Sequence, residues 1–89
     1  MNDASTGPQE IEPSEGRYAN HFKIGHTAFE FLLDFSQFSP ESQVLRWHTR
    51  IITNPACVKA LYALLQESIA HYEQTFGSIP TVHDKGHEQ

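Results

Sequence analysis

The apolar residues of this 89-residue chain change their spacing once, at Asn54. Before Asn54, residues 17–24, 28–35 and 44–52 alternate between apolar and polar side chains, the pattern of strands with one buried face. After it, apolar residues recur every three or four positions as far as Phe76, the pattern of one helix face. This order predicts an α+β fold, a three-stranded antiparallel sheet (β-β-β-α) covered on one face by a long C-terminal helix.

The helix is predicted to run from Pro55 to Phe76. Asn54 supplies a capping side chain, and proline suits the first helical position because it needs no amide hydrogen there. Gly77 provides the C-terminal cap, and Pro80 prevents the helix from resuming.

The first two strands are predicted to be joined by a type II′ turn. Gly25 occupies the first central position of that turn, where glycine is favoured, and His26 occupies the second. This turn pairs Phe22 with Phe29. A slip by one residue would place Lys23 beside the phenylalanines, which the hydrophobic pattern opposes.

The second and third strands, joined by a loop over residues 36–43, are predicted to be antiparallel. One register sets Asp34 opposite Arg46 and Glu30 opposite Arg50, and opposite charges across a strand pair are stabilising. The same register opposes apolar residues on the other face. The helix is expected to cover that apolar face, which is lined by Phe22, Phe29, Phe31, Leu33, Leu45, Trp47 and Ile51.

Two polar segments are predicted to flank a single domain. Residues 1–16 form a disordered acidic tail, residues 17–77 the β-β-β-α domain, and residues 78–89 a flexible polar tail, because segments so poor in apolar residues cannot offset the entropy of ordering. Cys57 is the only cysteine, which excludes a disulfide within the chain. With no apolar run long enough for a membrane span, we expect a cytoplasmic location and no membrane association.

The small domain is expected to need a partner. A domain of about sixty residues buries only about 60 % of its unfolded surface. The predicted helix is about 33 Å long, so Tyr72 and Phe76 are expected to overhang the sheet. A homodimer is therefore predicted, and the alternative is a monomer in which residues near Ile11 or Ile79 fold back as a lid.

No residue pattern predicts catalysis, a metal or a cofactor. The chain has six histidines, but His83 and His87 lie in a polar tail and no ligand cluster of familiar spacing is present. Glu30 and Asp34 share a strand face, yet pairing with arginine lowers a carboxyl pKa, which is wrong for a general acid. Cys57 in the first helical turn is expected to be a small half-buried side chain. We predict no enzyme activity.

The predicted interaction surface consists of Arg46, His48, Arg50, Tyr72 and Phe76. The leading interpretation is a non-enzymatic, self-associating interaction or accessory module. The alternative is nucleic-acid binding through the Arg46, His48 and Arg50 strand, as in proteins that lay a β-ribbon into a DNA groove. The acidic tail and the neutral charge of residues 17–77 make nucleic acid an unfavourable partner.

Several segments together suggest a family resemblance. These are Tyr18-Ala19-Asn20, the strand from Glu30 to Phe35, Arg50-Ile51-Ile52, and the helix from Pro55 to Phe76. With them, the chain resembles a widespread family of small bacterial proteins catalogued only as a domain of unknown function. The resemblance supports the strand and helix assignments and implies a bacterial source. It implies no activity, ligand or site residue.

Overall fold

The computed structural model describes residues 7–81 and contains three strands followed by one helix. The strands are β1 (His21–His26), β2 (Phe31–Ser39) and β3 (Val44–Thr53), and the helix is α1 (Pro55–Phe76). The sheet has the order β1-β2-β3. The predicted antiparallel β-β-β-α arrangement is confirmed.

The chain divides into two compact units. Of the described residues, 7–23 and 33–50 form the first unit, and 24–32 and 51–81 form the second. Each strand contributes residues to both units, whereas α1 belongs entirely to the second.

The most buried residues of the first unit lie on β2, the central strand. Leu33 is 7 % exposed, Asp34 8 % and Ser36 0 %, and within residues 7–81 Leu33 is the only buried large hydrophobic residue. The Ser36 hydroxyl donates to the carbonyl of His21 at 3.3 Å, so its burial leaves no unsatisfied donor. The core is therefore a short segment of β2 with polar residues inside it.

The first hairpin turns three residues later than predicted. The amide of Thr27 donates to the carbonyl of Glu30 at 2.9 Å, and the Thr27 hydroxyl accepts from the amides of Phe29 and Glu30, both at 3.1 Å. A threonine side chain that satisfies two turn amides fixes the turn locally. The predicted turn at Gly25-His26 is wrong, because both residues continue β1.

The pairing of β1 with β2 differs accordingly. The ring of Phe22 contacts that of Phe35 edge-on, with centroids 5.7 Å apart, so the predicted pairing of Phe22 with Phe29 is wrong. Phe29 lies in the turn and is 80 % exposed. Just before β1, the amide of Phe38 donates to Oδ1 of Asn20 at 2.8 Å and Nδ2 of Asn20 donates to the Phe38 carbonyl at 3.2 Å. The Asn20 side chain thus pairs with β2 as a backbone amide would.

The second hairpin has a four-residue turn between Ser39 and Val44. The amide of Gln43 donates to the Ser39 carbonyl at 2.8 Å, and Nε2 of Gln43 donates to the Pro40 carbonyl at 2.9 Å. Gln43 has a φ of 58°, the left-handed region that non-glycine residues seldom adopt. The predicted loop over residues 36–43 is too long, because β2 continues through Ser39.

The predicted bounds of α1 are confirmed. Oδ1 of Asn54 accepts a hydrogen bond from the amide of Cys57 at 2.8 Å, which satisfies one of the unpaired amides of the first turn. At the other end, the amide of Gly77, with a φ of 99°, donates to the carbonyl of Glu73 at 2.9 Å. Both ends of the helix are therefore defined by residues close to them in sequence.

The expectation that α1 covers one face of the sheet is not confirmed. No residue of α1 is buried. Of the seven side chains expected beneath the helix, only Leu33 is buried, and Phe31 is half-buried. The remaining five are 40 to 80 % exposed, and they are Phe22, Phe29, Leu45, Trp47 and Ile51.

Candidate functional site

Polar and aromatic side chains of the first unit line a pocket of about 350 Å³, called here the polar pocket. Its volume is at the small end of the range for ligand sites. One side chain comes from β1, one from β2 and four from β3. They are Lys23, Asp34, Trp47, His48, Thr49 and Arg50.

Asp34 and Arg50 form a bidentate ion pair across the polar pocket. Nε of Arg50 donates to Oδ1 of Asp34 at 2.8 Å, and Nη2 donates to Oδ2 at 2.9 Å. The Asp34 side chain is 11 % exposed and that of Arg50 is 57 % exposed. The hydrogen bond from Arg50 lowers the pKa of Asp34, against a smaller opposing effect of burial, and the charge of Lys23 lowers it further. The same bond raises the pKa of Arg50.

This ion pair corrects the predicted charge pairs. The sequence correctly placed Asp34 on the same strand face as an arginine, but the partner is Arg50 and not Arg46. The predicted pairing of Glu30 with Arg50 is wrong as well, because Glu30 precedes β2. A carboxylate that accepts two guanidinium hydrogen bonds stays ionised at neutral pH, so Asp34 is a poor proton donor.

Trp47 contacts two side chains of β1, those of Lys23 and His21. Nζ of Lys23 is 4.8 Å from the centroid of the Trp47 ring, within the range of a cation–π interaction. The His21 ring meets Trp47 edge-on, with centroids 5.6 Å apart. These contacts place Trp47 with polar partners, whereas the sequence predicted it on the apolar face.

Hydrogen bonds engage both nitrogens of His48. Nε2 lies 2.9 Å from the carbonyl oxygen of Tyr18, and Nδ1 lies 2.7 Å from Oγ1 of Thr49. Because a carbonyl only accepts, Nε2 must carry the proton, and Nδ1 of a neutral ring then accepts from the Thr49 hydroxyl. This arrangement holds the imidazole against the segment that precedes β1.

The regular alternation predicted for β3 is interrupted between Trp47 and Arg50. Side chains of adjacent residues point to opposite faces in a regular strand, yet those of His48 and Thr49 meet at 2.7 Å. Trp47 and Arg50, three residues apart, line the same pocket. An extra residue in the alternation, as a β-bulge introduces, accounts for both observations. The predicted common face for Arg46, His48 and Arg50 therefore does not follow from alternation.

The predicted interaction surface falls in both units. Arg46 lines a second pocket of about 430 Å³ in the first unit, together with Gln37, Ser39, Ser42 and Val44. His48 and Arg50 line the polar pocket and are engaged by Tyr18 and Asp34. Tyr72 and Phe76 of α1 have ring centroids 4.9 Å apart and are 51 % and 72 % exposed.

The polar pocket was not predicted from the sequence, because its residues are far apart along the chain. The sequence interpretation used Lys23 and Thr49 only to assign strand register. It noted Asn20 only as part of the Tyr18-Ala19-Asn20 motif. A conspicuous asparagine just before a strand is the one signal that indicates a side chain able to replace backbone hydrogen bonds.

The described residues assemble no metal-binding group. Within residues 7–81, no set of three or more His, Cys, Asp or Glu side chains could hold an ion, and His83 and His87 lie outside that range. Cys57 is exposed, which corrects the expectation of a half-buried thiol. No helix of the described chain has the length and apolar character needed to cross a bilayer.

Comparison with known proteins identifies a family. A protein family described as being of unknown function, DUF3467, matches residues 5–81. The match covers most of the chain, and the chain therefore belongs to this family. No curated protein and no solved structure matches the chain significantly.

Proposed function

We propose that this protein is a non-enzymatic interaction module that works by associating with itself. The observation that carries the proposal is the exposure of its large apolar side chains. Within residues 7–81, eighteen large hydrophobic residues are at least 40 % exposed and only Leu33 is buried. Large exposed apolar patches are typical of protein interfaces and rare on monomers, and this many exposed apolar residues support such a surface.

The exposed apolar residues of α1 support association most directly. Tyr62 is 61 % exposed, Leu65 52 % and Ile69 46 %. An amphipathic helix derives most of its stability from burying its apolar face. No residue of this 22-residue helix is buried within the chain, so its apolar face is available to a second copy.

The polar pocket supports a structural role for its residues and not a catalytic one. Its carboxylate is paired with Arg50, and its histidine is held by Tyr18 and Thr49. These contacts also weaken the nucleic-acid alternative, because two of its three basic residues have intramolecular partners. A cytoplasmic, bacterial setting is part of the proposal, and the lack of a second cysteine to pair with Cys57 supports it.

Dilution of the full chain tests self-association. Size-exclusion chromatography with light scattering should show a dimer at tens of micromolar, and the thermal midpoint should rise with protein concentration, because association stabilises the folded chain. A monomer at that concentration with a concentration-independent midpoint would rule the proposal out.

A further inference from the structure

We infer that two copies of this chain associate through their α1 helices in an antiparallel pair. The inference rests on the proposed self-association and identifies its contact surface. It starts from a stripe on α1, called here the α1 stripe, in which successive residues are four and three positions apart in alternation. Its members are Val58, Tyr62, Leu65, Ile69, Tyr72 and Phe76. This repeat of 3.5 residues is the spacing of a helix that packs along another helix.

Two antiparallel copies of the α1 stripe place side chains of complementary size opposite each other. An antiparallel two-fold pair centred near residue 67 places Val58 opposite Phe76 of the second copy, so that the smallest side chain of the stripe meets one of the largest. The same pairing places Tyr62 opposite Tyr72. At the centre, Leu65 and Ile69 meet. All six positions thus have a partner in one closed, self-complementary interface.

Charge complementarity selects the antiparallel orientation. Lys59 and Glu73 occupy equivalent positions beside the α1 stripe, fourteen residues apart. In the antiparallel pair each Lys59 lies beside Glu73 of the second copy, twice by symmetry. A parallel pair would instead bring Ser68 beside Glu73 and Leu61 beside Gln66, with no opposite charges facing each other. Oε2 of Glu73 accepts a hydrogen bond from the amide of Ile79 at 2.9 Å. Oε1 is left to pair with Lys59 of the second copy.

The exposed area of the α1 stripe reaches the lower limit for a specific interface. Tyr62, Tyr72 and Phe76 are 61 %, 51 % and 72 % exposed, which leaves about 370 Å² of aromatic surface per chain if a fully exposed ring presents about 200 Å². Leu65, Ile69 and the flanking Leu61 bring the total for two chains to about 1,000 Å², the lower size of a specific interface.

Charge reversal tests the orientation. Lys59→Glu should raise the dimer dissociation constant about ten-fold in low salt, because two attractive contacts become repulsive and exposed pairs contribute a few-fold each. Lys59→Glu combined with Glu73→Lys should restore the dissociation constant to within about two-fold. The matched control, Glu67→Lys, lies on the outer side of the helix and should change it less than two-fold. Circular dichroism of each variant verifies that α1 is retained.

A distance measurement provides an independent test. Cys57 is exposed and is the only cysteine, so the native chain accepts a nitroxide label there, and its capping contact uses the backbone amide. In the antiparallel pair the two labels lie about 30 Å or more apart, because each is ten residues from the centre. A parallel pair brings them within about 20 Å.

The outcomes separate the two proposals. A dimer whose dissociation constant responds to Lys59→Glu no more than to Glu67→Lys, or whose labels lie within about 20 Å, overturns antiparallel pairing and leaves self-association standing. A wild-type monomer overturns both. Recovery in the double variant together with the long label distance supports the pairing.

Discussion

The Asn20 side chain should contribute measurably to the stability of the sheet. Asn20→Ala removes both hydrogen bonds to the backbone of Phe38, at 2.8 and 3.2 Å. A net contribution of about 0.5–1.5 kcal/mol per bond, taken in the lower half of that range because the site is exposed, gives a loss of about 1–2 kcal/mol for the two bonds. For a chain of this size the thermal midpoint should fall by roughly 5–15 °C. Thermal denaturation followed by circular dichroism, at one fixed protein concentration, measures it.

Asn20→Asp distinguishes the paired hydrogen bonds from simple loss of a side chain. An ionised carboxylate can still accept from the Phe38 amide but cannot donate to the Phe38 carbonyl. Only the protonated acid restores both bonds, so its folded-state pKa should be raised. The restored stability is then present below the unfolded carboxyl pKa of about 3.9 and is lost as the pH rises through the folded value.

Relative to the wild type at each pH, Asn20→Asp should therefore be destabilised at pH 7 and should recover as the pH falls toward 4. Asn20→Ala should show no such recovery and serves as the control. The reasoning would be refuted by an alanine variant with an unchanged midpoint, or by an aspartate variant whose deficit does not narrow in acid.

Three further perturbations have definite expected results. Asn54→Ala should destabilise α1 by about 1 kcal/mol and Asn54→Gly by only a few tenths, measured as helix loss in circular dichroism, and equal effects would contradict the capping role. Asp34→Asn removes an ion pair whose carboxyl has a lowered pKa. The difference in unfolding free energy between Asp34→Asn and the wild type should thus be constant above about pH 5 and should shrink as the pH falls below 3.8. A difference that stays the same in acid would count against the pair with Arg50. Gel-shift titration should show no salt-dependent nucleic-acid binding, whereas binding that Arg46→Ala weakens would revive the alternative function.

The helix could be predicted to the residue because its signals are local. The cap at Asn54 involves the amide of Cys57, and the termination at Gly77 involves Glu73. Residues three or four apart in sequence determine these contacts whatever the rest of the chain does.

The strand registers could not be predicted from alternation. A pattern of period two is unchanged when a strand is displaced by an even number of residues. Phe22 therefore meets Phe35 in place of Phe29, and Asp34 meets Arg50 in place of Arg46, with the predicted character of each pair intact.

The features that decide between such registers are individual side-chain hydrogen bonds. The Thr27 hydroxyl fixes the first turn, and Asn20 bonds to a residue eighteen positions away. The break in side-chain alternation at His48 and Thr49 cannot be recognised from the apolar pattern of β3. The polar pocket combines side chains of all three strands, so it could not be predicted without the correct registers.

The position of Trp47 allows the unfolding of the two units to be followed separately with two intrinsic signals. It is the only tryptophan and lies in the first unit, against Lys23 and His21, so its fluorescence records the loss of that unit. The ellipticity at 222 nm is dominated by α1, which lies wholly in the second. Two superimposable denaturation curves would mean that one cooperative transition includes both units, and two separate curves would give the stability of each without any engineered probe.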